Sequence, residues 1–451
     1  MFEPAIQDIL TRRLQPLPEL VMEKNLRRDI DELLAPLCGG QRVAVVDDMN
    51  TAEALGDLVC AALKSRADIT HITLPYGVTA DEQALAEIEH RAARADMFVA
   101  VGGGTIGDLV KYASHKAGKP YVMVPTAASM NGYTSRNASI TIAGEKKSYG
   151  AHLPLAVIMD MGVIASAPVR LAQAGIGDSL ARPTAQADWL LSHHLAATAY
   201  DAEIYMLATP YEPMVFEQAS AILRGDYESL AALMKLLLVS GFGMTIAGSS
   251  APASGAEHMI AHLMHSNVTA QGAARPVLRS LLSSEALAKE DGEGGSGGPN
   301  LPIILGKGPQ SKENSTAQGA ARSGGVWGKE PQPKYNILHG EEIAVTAVEM
   351  AALQANLLTQ KTISVMPAPA FAGVNLRADT HVPVPPESWD KAREAISAIH
   401  IAPDHLAQIR KKAGLPETIE ALGWDAEHYR HALATARFSR DRFTFLDIES
   451  A

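Results

Sequence analysis

The chain has 451 residues, enough for two or three domains that each bury a core. Hydrophobic residues make up 47% and charged residues 20% of the sequence, as in an ordinary globular protein. The formal net charge of −11 argues against nucleic acid or an anionic membrane as the main partner, and two cysteines without metal spacing favour a reducing cytoplasm.

The amino-terminal third alternates between apolar strand-like runs and helical periodicity. Strands are predicted at 42–48, 71–75, 98–101 and 120–125, and helices at 51–64, 80–95 and 105–117. This order predicts a parallel, doubly wound sheet, whose ligands bind at the carboxyl ends of the strands. Asp48, Gly102 and Thr126 all lie at such ends.

A glycine turn follows the third of these strands. Gly102, Gly103 and Gly104 separate the apolar run from a helix that begins near Thr105. Strand, glycine turn and helix start together bring backbone N–H groups to a pyrophosphate. The spacing is not G-x-G-x-x-G, so a tight turn without a ligand is an equally good interpretation of the turn alone. The Ser/Thr-rich loop 124–135 could likewise line a nucleotide or be an ordinary loop.

From about Ala167 the sequence becomes rich in Ala and Leu with helical spacing, which predicts an α/β domain at 1–166 and an all-helical domain at 167–451. The stretch 231–246 comes nearest to a membrane span, but it is short and contains Lys235. The amino terminus lacks the pattern of a signal peptide, which adds to the expectation of a cytoplasmic protein.

A Gly-, Ser- and Lys-rich segment interrupts the helical part at about 267–334. The seven residues Thr269–Arg275 recur as Thr316–Arg322, an offset of 316 − 269 = 47 residues. We interpret the segment as a low-complexity insertion or duplication, predicted to be mobile, because lengthening a surface loop costs about 0.6 kcal/mol per doubling.

Four residues of the helical part can carry metal chemistry. Asp178 lies near a predicted helix start, His258 and His262 share one helical face, and His339 opens another helix. A carboxylate and two imidazoles with an open position suit a Lewis-acid ion, although a His-x₃-His pair alone is more often surface or packing.

These residues and their context resemble the glycerol-1-phosphate dehydrogenase branch of the iron-alcohol-dehydrogenase and dehydroquinate-synthase superfamily. The resemblance covers roughly residues 20–265 and 335–360 and rests on six motifs: Gly102–Asp108, Pro125–Gly132, Lys146–Pro154, Gly177–Asp178, Ser254–His258 and His339–Glu341. It implies a dehydroquinate-synthase-like fold, an NAD or NADP cofactor, one divalent ion (Zn, Ni or Fe) and a homo-oligomer.

The resemblance also implies roles for individual residues. Asp178, His258 and His339 would bind the metal, Asp178 would also be catalytic, and His262 would contact the substrate. The dinucleotide would be contacted by Gly102, Gly103, Gly104, Thr105, Ile106, Gly107, Asp108, Thr126, Ala127, Ala128, Ser129 and Ser135. Asp47 or Asp48 would face the adenosine ribose, and this acidic pair favours NAD over NADP.

Two departures from the family pattern bear on function. Asn131 stands where the family usually has an Asp that contacts the substrate, and an amide cannot act as a base. His258 and His339 are 339 − 258 = 81 residues apart, far more than relatives have, and the insertion accounts for the excess.

The predicted activity is a metal-dependent, NAD(P)-linked interconversion of dihydroxyacetone phosphate and sn-glycerol 1-phosphate. Lys146, Lys147 and Arg182 are candidate phosphate contacts, although each could equally be a solvated surface charge. The alternatives are a related polyol dehydrogenase, a sugar-phosphate cyclising synthase, or a nucleotide- or metal-binding protein with little turnover.

Overall fold

The computed structural model describes residues 1–27, 29–270, 337–366 and 382–450. Apart from 268–270, these residues belong to one compact unit. The predicted insertion and both copies of its repeat lie outside the described residues, except for a few positions at the start of the segment. The predicted domain boundary between residues 166 and 167 stays a prediction.

The strands and helices are as follows. The strands are β1 (Glu19–Glu23), β2 (Arg42–Asp48), β3 (Asp68–Leu74), β4 (Met97–Gly102), β5 (Tyr121–Pro125), β6 (Asn137–Ile142), β7 (Glu145–Gly150), β8 (Ala156–Asp160), β9 (Ile363–Val365), β10 (Val382–Pro383) and β11 (Ile448–Ser450). The α-helices are α1 (Pro4–Arg13), α2 (Ile30–Cys38), α3 (Met49–Thr51), α4 (Asp57–Leu63), α5 (Glu82–Arg91), α6 (Gly104–Ala117), α7 (Met161–Ser166), α8 (Val169–Ala196), α9 (Ala202–Ala208), α10 (Glu212–Glu217), α11 (Ala219–Leu223), α12 (Tyr227–Ala247), α13 (Ala256–Ala270), α14 (His339–Leu358), α15 (Pro386–Ser397), α16 (Pro403–Lys412) and α17 (Ala426–Thr435). A π-helix (Ala52–Gly56) joins α3 to α4.

The predicted parallel sheet is confirmed. Six strands lie in the order β1-β8-β5-β4-β2-β3, and every neighbouring pair is parallel. After β3 the chain returns to the other side of β2, so the strand order reverses between β2 and β4. A crevice at the carboxyl ends of these strands is where open α/β sheets bind ligands. Asp48 and Gly102 end the two strands.

Both faces of the sheet are covered, which explains why its strands are continuous apolar runs. Val43, Val45 and Val99 point to the face covered by α2 and α4. Ala44 and Phe98, on the opposite face, belong to the larger core that includes α6 and the helices of the second half. Successive residues of a strand alternate between faces, so each strand contributes to both cores.

The strands differ from the predicted pattern in three places. The parallel sheet contains β1 and β8 in addition to the four predicted strands. The strands β6 and β7 form an antiparallel hairpin in the crossover between β5 and β8. In the helical part, β9, β10 and β11 form a small antiparallel sheet, and β11 comes from the end of the chain. The alternation of polar and apolar residues in β6 is a strand signal that the prediction missed, whereas β7 is largely polar and β9, β10 and β11 are only two or three residues long.

One described helix, α12, is long and apolar enough to cross a membrane by length and composition. In the structure, 72% of its most apolar stretch is buried inside the protein. The ammonium group of Lys235 lies 5.7 Å from the centre of the Tyr211 ring. The helix therefore serves as a core element against which α9, α10 and α11 pack.

Candidate metal centre and active site

Three predicted ligands meet although they come from three different helices. Asp178 lies in α8, His258 in α13 and His339 at the first position of α14. One potential ligand atom from each lies within 4.8 Å of the other two. Ligands of a tetrahedral ion, each about 2.1 Å from the metal, are roughly 3.4 Å apart, so a small inward movement would complete the site. The donor set and its burial fit a divalent ion.

The orientation of His258 is fixed by the preceding residue. Glu257 Oε1 accepts a hydrogen bond from His258 Nδ1 at 2.9 Å, which leaves Nε2 facing Asp178 Oδ1 at 3.7 Å. Glu257 is itself held by the backbone N–H of Gly255 at 2.6 Å and the Thr184 hydroxyl at 3.0 Å. A carboxylate behind a histidine is the usual support of a metal-binding imidazole.

Glycines allow α8 and α14 to approach closely beside two of the ligands. A Cβ on Gly177, next to Asp178, would overlap the carbonyl oxygen of Gly340. A Cβ on Gly340, next to His339, would overlap the carbonyl oxygen of Ala174. The close backbone contact therefore requires glycine at both positions, and it brings the first turn of α14 against the second and third turns of α8.

The start of α14 is also held by an ion pair. Arg170 of α8 donates to Glu341 through Nε at 2.6 Å and Nη2 at 2.7 Å. Glu341 Oε2 in turn accepts from the backbone N–H of Leu338 at 2.9 Å. The bidentate geometry makes this a strong, directional contact. It fixes the residue before His339 relative to α8.

The loop after β5 reaches the same place. The backbone N–H of Asn131 donates to Asp178 Oδ2 at 2.9 Å. Gly175 permits this approach, because a Cβ there would overlap the carbonyl oxygen of Ala128. The loop that follows a central strand of the sheet is thus joined to the candidate metal ligand, and residue 131 lies beside it.

For two of the three candidate ligands, Asp178 and His339, the shift in pKa favours the protonation state that binds a metal. Burial raises the pKa of Asp178, but His258, His339 and the Asn131 amide lower it by more. Burial lowers the pKa of His339 more than Glu342 raises it. For His258, burial lowers the pKa, yet contacts with Asp178 and Glu257 leave it raised. An ionised carboxylate and neutral imidazoles are the forms that bind metals.

His262 lies one helical turn after His258, and its ring centre is 5.5 Å from that of His339. Its Nδ1 lies 3.3 Å from Arg440 Nη2. Because arginine can only donate, Nδ1 accepts and the neutral ring carries its proton on Nε2. Burial lowers the pKa of His262 well below its usual value, and the positive charges of Arg440 and Lys146 act in the same direction.

The glycine turn lies where the sequence predicted, at the carboxyl end of β4. Gly103 precedes the first residue of α6, so the helix begins at Gly104, one residue before the predicted start. A Cβ on Gly102 would lie only 2.6 Å from Cβ of Ile106, which explains the glycine at the end of the strand. Ile106 and Gly107 are buried, and Thr105 is partly exposed.

Asp108, in the second turn of α6, is held by two contacts. Its Oδ1 lies 3.2 Å from Lys111 Nζ, and its Oδ2 accepts from the backbone N–H of Ser139 at 3.2 Å. The buried Lys111 also donates to the carbonyl oxygens of Gly132 and Asn137. The two side chains therefore connect α6 to the loop that carries Asn131.

The structure corrects the prediction for Asp47. Its carboxylate is fully buried and accepts from His71 Nε2 at 2.7 Å, so it does not face the crevice as predicted. In the parallel pairing of β2 with β3, His71 lies opposite Val45. Its side chain therefore reaches the carboxylate of Asp47, two residues further along β2. Asp48 is partly exposed, and its carboxylate accepts from the backbone N–H groups of Asn50 and Thr51.

The other residues predicted to contact the nucleotide or the phosphate differ in their exposure to solvent. Thr126, Ala127, Ala128 and Ser135 are buried, whereas Ser129 is partly exposed. The Ser135 hydroxyl donates within its own loop, to the carbonyl oxygens of Gly132 and Asn137. These nucleotide contacts stay predictions. Arg182 is not a phosphate candidate in this structure, because its guanidinium bonds Glu212 and the carbonyl oxygen of Tyr205.

Sequence reasoning missed Glu257 and Arg440. Glu257 had a local signal, since it directly precedes a candidate metal ligand. Arg440 had none, because it is 440 − 262 = 178 residues from the histidine it contacts. Only the folded chain brings its carboxyl-terminal segment to this helix.

Comparisons with known proteins find a matching family model and similar dehydrogenases. A family model described as iron-containing alcohol dehydrogenase matches residues 21–168. The chain is 38% identical over 246 residues to a protein of Pyrococcus furiosus named glycerol-1-phosphate dehydrogenase (NAD(P)+), covering 54% of this chain and 71% of that protein. It is 32% identical over 305 residues to the protein of the same name from Halalkalibacterium halodurans, covering 64% and 73%.

Solved structures share the fold at low sequence identity. A probable glycerol dehydrogenase from Sinorhizobium meliloti 1021 aligns with a TM-score of 0.54 at 18% identity, covering 95% of this chain and 92% of that one. Maleylacetate reductase from Rhizobium sp. strain MTP-10005 aligns with a TM-score of 0.53 at 14% identity, covering 95% and 91%. At these identities the likeness supports the fold alone.

Proposed function

This chain belongs to the glycerol-1-phosphate dehydrogenase branch of the iron-containing alcohol dehydrogenases, and from that premise we propose that it interconverts dihydroxyacetone phosphate and sn-glycerol 1-phosphate with NAD or NADP. The observation that carries the proposal is the meeting of Asp178, His258 and His339 beside the loop that follows β5. A metal-binding cluster at the carboxyl edge of a parallel sheet is placed to act on a substrate next to a bound dinucleotide.

The metal would be held by Asp178, His258 and His339. A divalent ion bound there supplies Lewis-acid chemistry to the carbonyl group, while the nicotinamide supplies the hydride. The protein's own part is to hold these side chains in register: Glu257 orients His258, and the glycine contact between α8 and α14 sets the distance from Asp178 to His339.

His262 and Asn131 would contact the substrate. His262 in its neutral form can donate from Nε2, because Arg440 occupies Nδ1. Asn131 is fixed through its backbone to Asp178, and its amide can position a hydroxyl group without exchanging a proton. In this chain the substrate's proton is therefore not carried by residue 131.

The dinucleotide phosphates would lie at the amino end of α6, over Gly103 and Gly104. The helix dipole and its unpaired backbone N–H groups favour an anion there. Of the acidic pair at the end of β2, only Asp48 is accessible, and we propose it as the residue nearest the ribose. We also propose that the enzyme works in the cytoplasm as a homo-oligomer.

The test is oxidation of NADH and NADPH by the purified protein with dihydroxyacetone phosphate, after loading with Zn²⁺, Ni²⁺ or Fe²⁺. We expect turnover that depends on both the metal and the substrate. Dihydroxyacetone serves as the unphosphorylated control in this direction, and glycerol with NAD+ or NADP+ serves as the control in the reverse direction. Activity confined to the unphosphorylated compounds would identify a polyol dehydrogenase, and no metal-dependent turnover with any of them would refute the proposal.

A further inference from the structure

The carboxyl-terminal segment 439–447 lies across the start of α13, the helix that carries His258 and His262. Arg442 donates to the carbonyl oxygen of Ser254 and, at 3.1 Å, to the hydroxyl of Ser250. Asp188 of α8 joins the two elements, since it accepts from the backbone N–H of Phe445 at 3.0 Å and of Ala256 at 2.7 Å. The segment is therefore fastened to the candidate metal helix at two points.

Two residues before Arg442, the side chain of Arg440 reaches the candidate active site. Its Nη1 donates to Ser254 Oγ at 3.1 Å and its Nη2 to His262 Nδ1 at 3.3 Å. Both partners are neutral. Among the described residues, no carboxylate lies within 4.0 Å of its guanidinium, whereas Arg170 and Arg182 each pair with a glutamate.

A guanidinium that is partly buried without a neighbouring carboxylate favours an anionic ligand. Burial lowers the pKa of Arg440, and Glu257 only partly offsets this effect. Lys146 adds a second positive charge near His262 and His339, lowering the pKa of both rings. Two positively charged side chains, Arg440 and Lys146, therefore lie near His262.

We propose that Arg440 is the specificity-determining contact for the phosphate group of the substrate. The inference rests on the proposed function. His262 lies between the guanidinium and the metal-binding cluster, with its ring centre 6.1 Å from that of His258 and 5.5 Å from that of His339. A three-carbon ketone phosphate has its carbonyl and phosphate groups on adjacent carbons, which suits two sites separated by one imidazole. The planar guanidinium matches a phosphate oxygen pair.

The test compares Arg440→Gln with Arg430→Gln, which removes an exposed arginine of α17 whose Nε donates to the carbonyl oxygen of Ala426. Binding of dihydroxyacetone phosphate and of inorganic phosphate to the Zn²⁺-loaded protein is measured by calorimetry, alongside KM. We expect Arg440→Gln to weaken both ligands about 10- to 100-fold, the range of a charged hydrogen bond. Metal content and the KM for NADH should stay unchanged, the loss of kcat/KM with dihydroxyacetone should be much smaller than the loss with dihydroxyacetone phosphate, and Arg430→Gln should match the wild type.

Each outcome decides the inference. Unchanged affinity for dihydroxyacetone phosphate in Arg440→Gln overturns it, as does an equal loss for dihydroxyacetone, which would indicate a structural role. A loss confined to NADPH would assign the anion to the cofactor and also overturn it. Arg440→Lys keeps the positive charge and should retain part of the affinity for dihydroxyacetone phosphate. This variant keeps the inference testable if Arg440→Gln does not fold. If the wild type binds dihydroxyacetone phosphate without turnover and Arg440→Gln loses that binding, the proposed function fails while the phosphate contact stands.

Discussion

The carbonyl oxygen of Gly340 lies directly against Gly177 of the facing helix, so that a side chain at residue 177 would overlap it. Each glycine adjoins a candidate metal ligand, Asp178 or His339. The distance between these two ligands is therefore set by backbone contact between α8 and α14. Backbone positions relax less readily than flexible side chains.

Substituting Gly340 should separate the ligands. We expect Gly340→Ala to force α14 away from Ala174, to reduce Zn²⁺ affinity at least tenfold and to lower the free energy of unfolding by about 1–3 kcal/mol, the usual cost of overpacking. The matched control is Gly150→Ala, where a new Cβ meets nothing within 4 Å. Measured metal affinity and urea midpoints check the prediction, and equal behaviour of the two variants would contradict it.

The three candidate ligands should be required for metal binding, and Glu257 should support them. We expect His258→Ala to abolish stoichiometric metal binding and most activity. Glu257→Gln, which weakens the hydrogen bond to His258 Nδ1, should cost about 10- to 100-fold in metal affinity. Metal content is measured by mass spectrometry after dialysis. A His258→Ala protein with full metal content would remove this residue from the site.

Features that depend on neighbouring residues could be predicted from the sequence, whereas features that depend on contacts between distant residues could not. The strands β2, β4 and β5 were predicted because each is a continuous apolar run, and the glycine turn because its signal is local. Asp47 was misplaced because its partner His71 is on another strand, and β-strand register is a tertiary property. Arg440 gave no signal because its contact with His262 exists only after the ends of the helical part come together.

Replacing Asn131 with Asp tests what the family's acid would contribute here. We expect Asn131→Asp to raise kcat and to add an ionisation to its pH profile between about pH 5 and 9, because a carboxylate can move a proton and an amide cannot. Asn356→Asp, at an exposed position of α14, controls for the added charge. A rate, KM and pH profile identical to those of the wild type would place residue 131 outside the catalytic site.

Asp447 should make stability depend on pH. Burial raises its pKa to about 6, although bonds from Thr444 and the charge of Arg437 oppose the rise. The folded state thus holds the proton more tightly than the unfolded state, so stability falls as pH rises from about 4 to about 6, by on the order of 2–3 kcal/mol. Asp447→Asn should remove this slope, measured as the urea midpoint across that range.

The comparison needs a control for charge in the same segment, which the exposed Asp441→Asn variant provides. It should keep the wild-type slope. If Asp447→Asn and the wild type lost the same stability between pH 4 and pH 6, the buried carboxyl would not be the cause.

Removing residues 271–336 should leave the metal site intact. Asn267 is nine positions beyond His258, so it lies roughly 14 Å along the helix axis from the ligand, and a linker of about ten residues can span the return to Ile337. The contacts that assemble the site are Gly177 with Gly340, Arg170 with Glu341, and Glu257 with His258. None of them involves the segment to be removed.

We expect the shortened protein to match the wild type in Zn²⁺ affinity and kcat, to keep its thermal midpoint within a few degrees, and to resist proteolysis better. The sequence of the segment offers only two short apolar stretches, 277–282 and 301–305, too little for a core of its own. The alternative is a lid or partner-binding loop anchored by Trp327. A deletion variant that keeps its metal but loses substrate affinity would favour that alternative, whereas loss of metal or of many degrees in thermal midpoint would show that the segment is part of the fold.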